Sequence, residues 1–404
     1  MVTSSKPYWL EVPALLGSSD RPKDAEIIVI GAGLSGVSTV YWLQQKGYKN
    51  LLLLDYDAAS AASFRNCGHI LYGTVESMQA LVAIHGAVIA KELWALSIEV
   101  CHDVRDTVKK LSLDIDYRQD GYLVMAIDAS EDQEIQASLK LLHSFGFGGE
   151  YFSKEKLGRL GFRQVCGGRF EPGSAQAHPT KFRNGLLKHC LGQGLRYHSG
   201  VKVLDLSETN NRVQVNTENW GLLHFEAAVI ATNAYSPLIS DFFAKHRLVE
   251  PFRGQIICSQ ILREKFQVSY PHSFDHGYEY ALMTPDNRLM LGGWRHHTQT
   301  GEVGTYDLST NPAVEQGLAE FAKRHYAIEE ALRWEYSWSG IMAASKTGFP
   351  FIGPIDSQRI FTCSGYTGHG FSWAHGSARI LADIIHGDPI PQIVRDKFSP
   401  CRLG

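Results

Sequence analysis

Apolar positions along the chain repeat with two different periods. Ile27-Ile28-Val29-Ile30 is an unbroken β-branched run that stops at Gly31. That pattern predicts a parallel strand buried on both faces. From Leu34 onward Val37, Val40, Tyr41 and Leu43 recur at helical spacing, and Gly47 closes the segment. Leu51-Leu52-Leu53-Leu54 predicts a second buried strand, ending at Asp55. Residues 57–75 are rich in Ala, Ser and Gly and predict a loop, whereas 76–112 carry helical periodicity. A strand is expected over 122–127, a helix over 131–144, and a helix from Pro179 to about Cys190. Segments 201–206, 212–216 and 222–225 suggest antiparallel strands, and 227–232 another buried strand. Residues 251–262 and 279–292 are strand-rich, 313–326 helical, 360–364 a strand, and 371–386 a final helix. Residues 1–24, with Pro7, Pro13 and Pro22, predict an irregular arm.

Composition narrows the class. A chain of 404 residues predicts two domains around a cleft. Hydrophobic content of 44% and charged content of 20% are ordinary for a globular protein. A net charge of -3, without basic runs, gives no reason to expect nucleic acid. Seven cysteines are scattered without any CxxC pair, which predicts reduced thiols and a cytoplasmic location. No uninterrupted apolar run of ~18 residues and no secretory leader is expected. Oligomeric state is not legible.

The first chemistry lies between the two predicted strands. Gly31-Ala32-Gly33-Leu34-Ser35-Gly36 follows a strand and opens a helix. Gly31 permits the tight turn, Gly33 lets backbone approach a pyrophosphate, and Gly36 lets the helix pack on the strand. The phosphates would then face the positive helix end. Asp55 stands at the end of the second strand, where a carboxylate accepts hydrogen bonds from ribose hydroxyls. The unit predicts dinucleotide binding and, through that acid, disfavours NADP; it does not separate NAD from FAD.

Further motifs follow in order. Ala61-Ala62-Ser63-Phe64-Arg65-Asn66-Cys67-Gly68-His69 is a small-residue loop. His178-Pro179-Thr180 precedes a helix and Val201-Lys202-Val203, and Val229-Ile230-Ala231-Thr232 ends in Asn233-Ala234-Tyr235-Ser236. Pro251-Phe252-Arg253-Gly254-Gln255, Leu291-Gly292-Gly293-Trp294-Arg295 and Gly365-Tyr366-Thr367-Gly368-His369-Gly370-Phe371 complete the set. Together they resemble the D-amino-acid oxidase and glycine/sarcosine oxidase superfamily of FAD-dependent enzymes, above all its gamma-glutamylputrescine oxidase branch.

The resemblance implies an α/β fold. A Rossmann-like FAD-binding domain (1–90, 155–245 and 335–404) would carry an inserted α+β substrate domain with a mixed or antiparallel sheet (91–154 and 246–334). It implies FAD, held noncovalently, against Gly31, Ala32, Gly33, Leu34, Ser35, Gly36, Asp55, Ser63, Arg65, Asn66, Val203, Thr232, Gly340, Gly365, Gly368, His369 and Gly370. It implies oxidation of a C–N bond in an amine or amino-acid-like substrate by hydride transfer to flavin, with an imine that hydrolyses. Oxygen, giving peroxide, or another acceptor would reoxidise the flavin. The alternatives are an amino-acid dehydrogenase with a non-oxygen acceptor and a non-catalytic flavin-binding protein.

Four residues are candidates for the chemistry: Arg295, His69, Cys67 and Lys346. Arg295 follows Gly292-Gly293, where sarcosine oxidases carry a basic residue over the flavin; the alternative is an exposed arginine on a hairpin. Cys67 replaces a family glycine. His69 lies in the flavin loop, as an acid–base group or a structural histidine. Lys346 precedes the strand at 351 where the family has a Thr-x-Asp-x-x-Pro pattern; a solvated lysine is the alternative. Ser372 stands where sarcosine oxidases place a lysine for the substrate carboxylate, which favours an amine or a carboxylate held elsewhere. Tyr278 and Tyr280 alternate with Glu279 and would share one strand face, as an aromatic cage or as packing. His296-His297 is not expected to bind a metal, because adjacent residues on a strand point to opposite faces.

Overall fold

The computed structural model describes residues 5–22 and 25–403. Strands Ile27–Ile30 and Leu51–Asp55 lie side by side and parallel, with Ile27 opposite Leu51. Ala227–Ile230 flanks the first strand on its other side, with Ile27 opposite Ala227. Arg196–Ser199 extends the sheet beyond 51–55, and Ile360–Ser364 beyond 227–230, all parallel. Phe351–Pro354 closes the edge antiparallel, giving six strands. The unbroken apolar runs of the central strands follow from this position, because helices or a second sheet cover both faces.

Helices Leu34–Gln45, Ala87–Leu111, Pro179–Gly192 and Gly370–His386 cover one face. The other face packs on a three-stranded antiparallel sheet of Val203–Thr209, Arg212–Thr217 and Gly221–Phe225. The helical stretch expected over 76–112 is two helices, Met78–His85 and Ala87–Leu111, which break at Gly86, where φ is 80°.

The second sheet has eight strands. Its order is Trp334–Ser345, Val249–Ser259, Leu289–Gly292, Glu279–Met283, His272–Phe274, Tyr122–Ala126, Gly167–Glu171 and Glu150–Ser153. It is mixed, since His272–Phe274 runs parallel to Tyr122–Ala126 and the other neighbours are antiparallel. Helix Pro312–His325 covers its outer face.

Strand pairing moves the segment boundaries expected from sequence. Residues 167–171 and 334–345 lie in the eight-stranded sheet, not with the dinucleotide unit. Residues 91–111 belong to a helix in the core of the six-stranded sheet. Pairing partners far apart in sequence decide this, and local periodicity does not record them. The N-terminal arm is also less irregular than expected. Its turn Tyr8–Glu11 buries Trp9 against Cys67, Ile256, Leu282 and Trp338. Among the described residues no helix is long and apolar enough to cross a membrane.

His375 joins three of the covering helices. Its Nδ1 lies 2.9 Å from Ser38 Oγ and its Nε2 2.9 Å from Thr107 Oγ1. Burial drives its pKa down to about 3. The imidazole is therefore neutral in the fold and protonates on unfolding once the pH falls below its ordinary value near 6.5. Stability from this residue is present above that pH and is lost as the pH falls toward 3. Replacing His375 with Gln will lower stability at pH 7 but make it less acid-sensitive. Denaturant unfolding at pH 7 and pH 5 should show the loss between them shrinking by about 2 kcal/mol; an unchanged difference would contradict the neutral buried imidazole.

Candidate functional site

A cavity of about 1050 Å³ is lined by both large sheets. Gly31, Gly33, Leu34, Ser35 and Asp55 line it from the six-stranded sheet and its loops, and Val203 from the start of the three-stranded sheet. Tyr122, Arg169, Tyr280 and Gly254 line it from the eight-stranded sheet. The loop bearing Ser63, Arg65, Asn66, Cys67 and His69 runs between them.

The glycine turn is set by close packing. A Cβ at Gly36 would stand 1.7 Å from the Gly31 carbonyl oxygen, and one at Gly33 2.8 Å from Ser63 Oγ. Ser63 Oγ accepts from Leu34 N at 2.8 Å and so caps the start of the helix. Arg183 fixes the turn from behind. Its Nε donates to Ala32 O at 2.9 Å, Nη1 to Leu15 O at 2.9 Å, and Nη2 to Tyr197 Oη at 3.1 Å. Asp55 lines the cavity and accepts from Ala32 N. Burial raises its pKa, opposed by the Ala32 hydrogen bond and by the Arg183 charge.

The 58–69 loop is held by its own side chains. Asn66 Nδ2 donates to Ala62 O and Ser63 O, and its Oδ1 accepts from Gly68 N at 2.8 Å. Arg65 donates from Nε to Ala59 O at 3.0 Å and from Nη1 to Ser339 O at 2.7 Å. Trp9 Nε1 donates to Asn66 O at 2.6 Å, and Trp338 Nε1 to Arg65 O at 3.0 Å. Ser372 Oγ accepts from Leu71 N at 2.7 Å. Gly340 faces Gly254 in register, and a Cβ there would lie 2.9 Å from Arg65 Cβ. The loop thus follows a path that large residues at 340 would block.

The sequence-based candidates separate in three dimensions. Of the expected cofactor residues, Ala32, Gly36 and Gly365 do not line the cavity and act on the backbone around it; the others line it. Thr232 and Gly340 are on the wall, and Gly368, His369 and Gly370 place the start of the final helix there. Lys346 is a correction. It is exposed, follows the strand Trp334–Ser345, and is not on the cavity wall. The strand ends one residue too early to carry its side chain inward.

Cys67 is on the wall, but burial pushes its thiol far above the ordinary range, so it is a neutral apolar group. His69 is neutral too, its pKa lowered to about 3 by burial and then by His272. Its Nε2 lies 3.2 Å from Ala281 O and donates to it. Arg295 is on the wall, with its guanidinium 4.6 Å from the Phe252 ring centroid and Nη1 donating to Gly301 O. Tyr278 and Tyr280 both line the cavity, although Tyr278 belongs to the turn before the strand.

His296 and His297 do not diverge as adjacent residues on a strand would. The pair lies in a 3-10 turn, Arg295–His297, not a strand, and the ring centroids are 3.9 Å apart.

Sequence reasoning missed Trp9, Arg183 and Arg169. Arg169 lines the cavity, and its Nη1 is buried without a hydrogen-bond partner among the described residues. Its nearest carboxylate oxygen, Glu171 Oε2, is 3.9 Å away. The Gly167-Gly168 pair before it, mirroring Gly292-Gly293, was the one available signal.

A dinucleotide with an appended ring system fits this cavity. The glycine turn is too tightly packed for a Cβ and presents its backbone to the cavity, two helices begin at the wall, and the far wall carries Arg169, whose Nη1 makes no hydrogen bond. Comparison with known proteins agrees. Gamma-glutamylputrescine oxidoreductase of Escherichia coli is 24% identical over 379 residues, covering 90% of this chain and 84% of that protein. The probable oxidoreductase OrdL of Haemophilus influenzae is 26% identical over 369 residues, covering 90% and 83%. The crystal structure of glycine oxidase from Bacillus cereus superposes with a TM-score of 0.76 at 18% identity, covering 92% of this chain and all of that one. The family profile DAO, FAD dependent oxidoreductase, matches residues 26–384, and the chain belongs to that family of FAD-dependent oxidoreductases.

Proposed function

We propose that the protein oxidises a C–N bond of an amine or amino-acid-like substrate, and that the imine formed is hydrolysed. The observation that carries this reading is the one cavity joining the glycine turn to a wall built from Arg169, Tyr280 and Arg295. Bound FAD supplies the acceptor for hydride from the carbon beside nitrogen, and oxygen or another acceptor takes the electrons onward.

The chain's own residues bind and orient. The turn 31–36, Asp55 and Val203 hold the adenosine and pyrophosphate half. Ser63, Arg65, Asn66 and Gly340 set the path of the loop beside the ring, and Thr232, Gly368, His369 and Gly370 complete its cradle. Arg169 offers to a substrate carboxylate its Nη1, which makes no hydrogen bond and has only the Glu171 carboxylate 3.9 Å away, a role that Ser372 leaves vacant by accepting from Leu71 N. Tyr280 bounds the substrate side. Arg295 adds positive charge to that wall. The neutral His69 keeps an unprotonated nitrogen at neutral pH, which suits a substrate amine that must lose its own proton. Cys67 contributes no thiolate.

The relative named for gamma-glutamylputrescine supports an amine substrate. FAD is held noncovalently, since Cys67 is the only cysteine on the described wall and is packed among apolar side chains. Seven free cysteines support a reducing, cytoplasmic setting.

Anaerobic mixing with polyamines, their γ-glutamyl conjugates, N-methyl amino acids and D-amino acids tests the reading. Bleaching of the flavin band by at least one member is expected; no bleaching across the panel overturns it. With the substrate so found, Arg169→Met should raise KM by about 10–100-fold, the worth of one charge-assisted pair, with a smaller effect on kcat. Lys346→Ala should leave both within about twofold, as expected of an exposed side chain off the cavity. Arg183→Met should lower stability by about 1–3 kcal/mol, because it leaves the buried carbonyls of Ala32 and Leu15 without their donor. FAD release measured by fluorescence should become easier in that variant, and unchanged retention would count against the lock on the glycine turn.

A further inference from the structure

A second cluster lies behind the cavity wall. The turn Asp275–Gly277 leads into strand Glu279–Met283, and strand Leu289–Gly292 leads into the turn Arg295–His297. Gly293 lets the two turns meet. Its φ is +127°, and a Cβ there would stand 2.1 Å from the Tyr278 carbonyl oxygen. As a result one ligand atom from each of Asp275, Glu279, His296 and His297 falls within 4.8 Å of the others.

The cluster is poorly satisfied by the protein itself. The Glu279 side chain is 1% exposed. Its Oε1 accepts from Trp294 N at 3.2 Å, but its Oε2 has no hydrogen-bond partner. Neither ring nitrogen of His296 makes a directional hydrogen bond. Asp275 Oδ2 lies 3.2 Å from His296 Nε2, and Glu279 Oε1 lies 3.8 Å from His296 Nδ1. Glu131 is nearby but occupied: its two oxygens accept from His276 N and Ile127 N. Arg295 is the opposing cation. Its guanidinium is directed toward the Phe252 and Tyr278 rings.

A buried carboxylate oxygen without a donor costs free energy, and either a proton or a cation relieves that cost. Two imidazoles beside two carboxylates favour the cation. Imidazole disfavours magnesium and calcium, and the mixed nitrogen and oxygen set suits zinc and its borderline neighbours in a four-coordinate site.

We propose that Asp275, Glu279, His296 and His297 bind one divalent cation of the zinc class. The ion braces the two turns that carry Tyr278 and Arg295 to the cavity wall. Tyr278 stacks on His296 with centroids 4.2 Å apart, so a fixed imidazole also fixes that ring. The site is structural and takes no part in electron transfer. It stands independently of which substrate the enzyme oxidises.

The test uses the FAD-loaded full chain, stripped with chelator, desalted, and titrated with zinc sulfate alone. Calorimetry and elemental analysis after gel filtration should give one zinc per chain. Glu279→Gln and His296→Asn should each weaken binding by at least about tenfold, the range seen even for groups one shell removed from a metal. His297→Ala, at an exposed position that the fold does not need, should weaken it as well. His224→Asn, on the three-stranded sheet, should not. Variants that keep the flavin spectrum are folded and are the ones compared; if the two buried variants lose it, His297→Ala decides. Failure of the wild type to retain zinc overturns the proposal. So does equal retention by the compared variants, which would mean adventitious binding to other histidines.

Discussion

Burying a guanidinium without a contacting carboxylate is costly, and here that cost organises the cofactor end of the molecule. Arg183 is fully buried. Its hydrogen bonds reach the N-terminal arm at Leu15, the glycine turn at Ala32, its neighbour Asn184, and the strand residue Tyr197. Each acceptor must be in place for the cation to be tolerated. The arm, the turn, the helix Pro179–Gly192 and the strand Arg196–Ser199 are therefore ordered together. Asp55 lies within the same field and holds the turn from the other side through Ala32 N. The rest of the cavity is built outward from this fixed point.

Three titratable groups on the wall beyond it are held uncharged by burial. His69, His369 and Cys67 would carry charge or nucleophilicity in water, but desolvation holds each in its uncharged form. Two of the cations on the wall, Arg65 and Arg169, have their pKa lowered by burial. Arg65 spends its donors on backbone carbonyls of its own loop and of the eight-stranded sheet. Arg169 retains an unused donor. The fold consumes the donors of one guanidinium and leaves Nη1 of the other without a hydrogen bond, and the proposed substrate contact rests on that difference.

The dinucleotide unit was legible because its signals are local. A strand, a glycine turn, a helix and an acid at the next strand end all fall within 27–55, and the fold has each where local spacing put it. The loop around Arg65-Asn66 and the glycines before the last helix were legible through a family pattern. The sheet membership of strands 167–171 and 334–345 was not, because each pairs with a strand more than forty residues earlier in the chain, 122–126 and 249–259. Lys346 was misplaced for a related reason, since the end of a strand decides which way the next side chain faces. Trp9 carries no signal in an arm rich in prolines, and its burial depends on a pocket assembled from five other segments.

The sequence by itself determined the βαβ unit, through short-range spacing and glycines that the turn requires, and it pointed to the class of cofactor and the broad chemistry through the family that its ordered motifs resemble. Only the tertiary structure decided which cations and imidazoles share a wall. His296 and His297 show why. Read as a strand they diverge, but a left-handed Trp294 and the contact at Gly293 fold them into a turn that brings them to Glu279. The direction of a side chain is fixed by backbone torsions, and those are settled by packing between elements distant in sequence.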